Sequence, residues 1–147
     1  MDSSNGLRIP QTGRSTRLIA LAAGLITLVW LSLEDQHIGP VLLLGTALAV
    51  LITSLTTFDK LGGRVIPGRY VPAAGALIGA VIGLGASVST ALLMFFKNAL
   101  HAHVFPDYPP GMILAMLQRG PLWLAAGALA GLGLALLWLA WRHTNDS

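Results

Sequence analysis

Charge is what this sequence has least of. Only 10% of its 147 residues are Asp, Glu, Lys or Arg, against about 25% in an ordinary soluble domain. So little charge cannot cover a water-soluble core, and it excludes a charge-rich disordered regulator. Cysteine is absent altogether, which rules out a disulfide scaffold, a thiolate metal site and a Cys nucleophile. Ionisable residues are also missing from the depths of the apolar blocks. Intramembrane acids and bases mark proton relays and proton-coupled transport, so that reading has no residue to stand on. All four histidines (His37, His101, His103, His143) fall in loops or the C-terminal tail, which argues against a haem held inside the membrane.

What the chain does have is apolar residues, 54% of the total, with a mean hydropathy of +0.72. They come in four blocks, at residues 18–33, 41–58, 71–96 and 121–141. A helix needs about 20 apolar residues to cross about 30 Å of hydrocarbon, with a range of about 17 to 25. The first block is short, and Arg17 can lengthen its reach by snorkelling. The third is long enough to tilt. Membrane strands alternate apolar and polar residues, whereas these blocks are apolar on all sides, and only helices or closed barrels satisfy the backbone in lipid. The expectation is an all-α integral membrane protein of four transmembrane helices in two hairpins. The first block follows three arginines as a signal peptide would, but no A-x-A-like site follows it, so it reads as an uncleaved span.

Lipid tails are as apolar as leucine, so helix association in a bilayer rests on close approach at small residues. Gly75, Gly79 and Gly83 form a doubled GxxxG in the third span, and Gly127 with Gly131 forms another in the fourth. Ala20, Ala23, Gly24 and Thr27 mark the first span, and Gly45, Ala49, Thr53 and Thr56 the second. These stripes read as helix-packing surfaces in preference to a ligand path. The hydroxyls among them can bond their own i−4 carbonyls.

Positive charge sets the expected orientation. The N-terminal tail holds Arg8, Arg14 and Arg17, the second loop Lys60, Arg64 and Arg69, and the C-terminal tail Arg142. The first loop has no Lys or Arg, and the third has Lys97 and Arg119. Seven against two places both termini in the cytoplasm, in a membrane expected to be a prokaryotic inner membrane. Residues 1–17 read as a disordered tail and 142–147 as a short cytoplasmic tail. Gly62-Gly63 and Pro67-Gly68 in the second loop are turn dipeptides. The flanking basic residues suit anionic lipid heads, and nothing points to nucleic acid.

The third loop, residues 97–120, is the segment with chemistry in it. The third helix continues into it, Pro106, Pro109 and Pro110 force an irregular stretch, and residues 111–119 read as a short interfacial helix. Phe105, Asp107 and Tyr108 form a candidate docking edge for another subunit. His101 and His103, with His37 from the first loop, are of the type that binds a divalent metal. On a continuous helix, however, His101 and His103 point roughly 200° apart. No other cofactor is expected. No nucleophile motif, nucleotide fingerprint or defensible carboxylate pair supports an enzyme.

By elimination, the sequence reads as a small non-catalytic subunit or assembly factor of a larger membrane complex, an energy-transducing one among the candidates. Its expected partners are the bilayer and other membrane subunits or further copies of itself. An oligomeric channel or transporter is the alternative, and an outer-face metal or redox site the third reading.

Overall fold

A computed structural model describes residues 6–11, 13–33, 37–101 and 106–145. In chain order it holds strand β1 (Gly6–Arg8), helices α1 (Arg14–Ser32) and α2 (Ile38–Leu61), and strand β2 (Val65–Pro67). A 3-10 turn at Gly68–Tyr70 leads into α3 (Val71–His101), followed by α4 (Pro110–Gln118) and α5 (Gly120–Asn145). The chain is mostly helical, and three helical stretches, Ile38–Leu61, Gly68–His101 and Gly120–Asn145, are long and apolar enough to cross a membrane. The apolar part of α1, Leu18–Ser32, is shorter.

Local chemistry sets the ends of these helices. Gly13 opens α1, its N–H donating to the Thr16 hydroxyl at 3.3 Å. Pro40 lies in the first turn of α2, just ahead of the apolar block at 41–58. A proline there forfeits only an N–H that has no intrahelical partner. Gly62 caps α2, donating to the Phe58 carbonyl at 3.0 Å, and Gly63 follows at φ +82°. That left-handed conformation is one L side chains avoid, so the Gly-Gly pair turns the chain from α2 into β2. Pro110 stands in the first turn of α4, where its lack of a donor again costs nothing.

The all-α expectation needs one correction. β1 and β2 form a two-stranded antiparallel sheet pairing Gly6 with Pro67, Leu7 with Ile66 and Arg8 with Val65. Ile9 extends it, donating to Arg64 O at 3.0 Å and accepting from Gly63 N–H at 2.9 Å. Within the tail read as disordered through residue 17, Gly6–Arg8 therefore form a strand, and the residues from Arg14 belong to α1. A polar composition describes that segment poorly, because the exposed main chain of the second loop supplies its hydrogen bonds.

Two antiparallel contacts build the bundle. Gly75, Gly79 and Gly83 of α3 face Gly131, Gly127 and the Trp123 carbonyl of α5. A Cβ on Gly79 would collide with the Gly127 carbonyl, and one on Gly127 with the carbonyl of Gly79. On another face of α3, Thr90 meets Gly45 of α2, and Gly85 meets Ala49. Small residues thus allow main chain to approach main chain, as association in lipid requires. α1 is different. Of its described side chains only Trp30 is buried, and it joins Val41, Leu93, Met94 and Tyr108 in an apolar cluster.

Candidate functional site

The third helix does not stop at Phe96. It runs to His101, and Thr90, Met94, Lys97 and His101 recur along it at spacings that share one helical face. Three of these four are fully buried: Thr90, Met94 and Lys97 each have 0% exposure. The sequence places no charge deep in an apolar block, and Lys97 lies just beyond the third. The structure corrects the inference from that boundary, because the chain folds over the end of α3 and covers the residue. The Lys97 ammonium lies 4.1 Å from the centroid of the Trp30 ring. A cation over an indole face is stabilised by the ring quadrupole, and more so when desolvated. The Trp30 indole N–H reaches no acceptor among the described residues.

Asp107 and Tyr108 arrive from the proline-bounded stretch and settle on the same helix end. Asn98 grips the main chain of Tyr108 on both sides, donating to its carbonyl at 2.7 Å and accepting from its N–H at 2.9 Å. The Tyr108 hydroxyl then donates to the His37 carbonyl at 3.2 Å, which ties this stretch to the start of α2. His101 Nδ1 and Asp107 Oδ2 are 2.7 Å apart, and both side chains are largely buried. About four turns back along α3, the Ser87 hydroxyl donates to Met116 O at 2.6 Å and fixes α4 on α3.

Most of the residues singled out in the sequence now have a place. Tyr108 is 1% exposed and Asp107 is turned onto His101, so neither presents the outward docking edge expected of them. Asn98 supplies the physical reason, since it satisfies the Tyr108 peptide groups and holds the ring inward. Phe105 and His103 lie outside the described residues. His37 contributes its main-chain oxygen, and among the described residues no group of three or more His, Asp or Glu gathers as a metal shell. His101 and Asp107 are two donors, one imidazole and one carboxylate. The five glycines Gly75, Gly79, Gly83, Gly127 and Gly131 all lie in the α3–α5 contact.

Asn98, Trp30, Ser87 and Thr90 were not singled out as site residues in the sequence. The one available signal was periodic, since continuing the helical face past Phe96 aligns Thr90 and Met94 with Lys97 and His101. Chemically, the arrangement is a polar clasp. It pairs an imidazole with a carboxylate, holds a cation on an aromatic ring, and fastens three separated chain segments to the end of α3.

Compared with protein-family models, with curated proteins and with solved structures, the chain matches none. The fold defines a class, a helical bundle compatible with an integral membrane protein, and its function has to be read from the residues themselves.

Proposed function

We propose that this chain is a small non-catalytic subunit or assembly factor of a larger membrane protein complex. In this reading it crosses the membrane four times, α1 included, with both termini in the cytoplasm of a prokaryote. The observation that carries it is the contrast between α1 and the other long helices. α3 is matched residue by residue to α2 and α5, whereas α1 is fastened near its C-terminal end through Trp30. On its small-residue stripe Ala20, Ala23 and Thr27 are half-buried, but Gly24 is exposed, and a Cβ there would meet nothing within 4 Å. A glycine that lets helices approach but has no helix against it suits a span supplied by another subunit.

The orientation rests on charge. It is consistent with the meeting of β1, β2 and the end of α5 on one side, where Arg142 donates to Gly6 O at 3.2 Å. The channel reading draws less support, because several candidate hydroxyls are engaged within the chain. Thr46 and Thr56 of the second span donate to the carbonyls four residues back, and Ser87 of the third to Met116.

Native mass spectrometry after gentle extraction of a tagged copy from its own membrane tests the proposal. Fixed stoichiometry with larger membrane proteins, lost in Gly24→Leu, is the expected result. A monomer or homo-oligomer alone, after extraction mild enough to keep other complexes intact, would overturn it.

A further inference from the structure

At the end of the bundle opposite Lys97, α2, α3, α5 and the β1–β2 sheet surround an apolar cleft of about 650 Å³. Gly75, Gly79, Gly127 and Gly131 line it where α3 and α5 meet, so it reaches down to main chain. Phe58 of α2 and Trp138 of α5 contribute aromatic surface, and Leu7 and Arg8 of β1 line it as well. Arg8 is exposed. Arg142 lies beside it in space, with its guanidinium 4.9 Å from the Trp138 ring centroid and one nitrogen on Gly6 O. Lys60, Arg64 and Arg69 come from the connection between α2 and α3 at this same end, and Asp59 is the acidic residue there among those described.

We propose that the cleft binds one acyl chain of an anionic glycerophospholipid, with the lipid phosphate held by Arg8 and the neighbouring basic residues. Two observations lead there. The lining is apolar, which fits a hydrocarbon chain and not a water-soluble anion. The charge at its edge has the sign that attracts anionic head groups.

Selectivity has to come from that charge. An acyl chain leaving bulk lipid gains no hydrophobic energy by entering another apolar site, so a neutral lipid with identical chains is held less well. The inference rests on the membrane reading and is independent of any partner subunit, because it is tested on the purified chain alone.

The experiment is native mass spectrometry of the chain in detergent micelles, titrated with phosphatidylglycerol and with phosphatidylcholine of the same acyl length. One phosphatidylglycerol retained in preference to phosphatidylcholine is expected. Arg8→Ala should weaken retention about fivefold, the loss of about 1 kcal/mol per basic residue near an anionic head group. Arg119→Ala, an exposed cation at the other end, should leave it unchanged. Ala130→Trp, which puts an indole into the cleft from a lining position, should abolish retention while helical circular dichroism is kept. Equal retention of the two lipids, or equal losses in Arg8→Ala and Arg119→Ala, would overturn the proposal even if Ala130→Trp failed to fold. A photo-reactive side chain at position 130 should label lipid in native membranes. Labelling of a partner protein there instead would also overturn it.

Discussion

The Lys97 ammonium and the Trp30 ring, 67 positions apart in the chain, lie 4.1 Å from each other at the covered end of the bundle. Through this contact α1 is joined to α3. A buried cation is costly unless its surroundings compensate, and the indole face is one such compensation. A double-mutant cycle with Lys97→Met and Trp30→Leu should return a coupling of about 0.5–2 kcal/mol. Unfolding in mixed micelles is the measurement. Additive effects would show that the two side chains are neighbours without interacting.

The α3–α5 contact predicts a sharp difference between glycines. Gly79→Ala forces a methyl into the Gly127 carbonyl, and the helices must part. Overpacking of this kind costs about 1–3 kcal/mol. Gly133→Ala, where a Cβ meets nothing within 4 Å, should instead be neutral or stabilising, by up to about 1 kcal/mol, because alanine is the better helix former. Thermal unfolding of both variants in one detergent decides it, and equal effects would mean that the main-chain contact does not form.

Asn98 predicts a local effect. Asn98→Ala removes two hydrogen bonds to Tyr108, each worth about 0.5–1.5 kcal/mol net. Amide exchange at Tyr108 should accelerate, while the middle of α3 keeps its protection. Exchange that rises equally along the whole of α3 would instead assign Asn98 a role in global stability.

Gly63 predicts a conformational penalty. At φ +82° an alanine pays about 1–2 kcal/mol for the left-handed conformation, and asparagine, which tolerates that region, pays less. Gly63→Ala should therefore destabilise the β1–β2 sheet more than Gly63→Asn, read as amide exchange at Ile9 and Arg64. The reverse order would place the strain elsewhere.

Much of the architecture was legible because it depends on neighbours a few residues apart. Apolar runs reveal helices, and the glycine spacing in α3 and α5 reveals two faces able to approach closely. The Gly62-Gly63 and Pro67-Gly68 dipeptides reveal where the chain turns between α2 and α3. The candidate site was less legible. Lys97 reads as a charge just outside a span, and Tyr108 as an aromatic on a surface loop. Their burial depends on Trp30 and Asn98, which carry no local mark of that role.

The sequence by itself determined that this chain is helical, apolar on all sides and built with stripes of small residues, since composition and a 3.6-residue period suffice for that. Only the tertiary structure decided which stripe meets which. It set Gly79 against Gly127 and left Gly24 open. It also paired Gly6–Arg8 with Val65–Pro67 and brought Asp107 onto His101. These are contacts between segments that chain distance does not relate. They form because a main-chain group or a side chain removed from water needs a partner, and the partner comes from whatever the fold brings within reach.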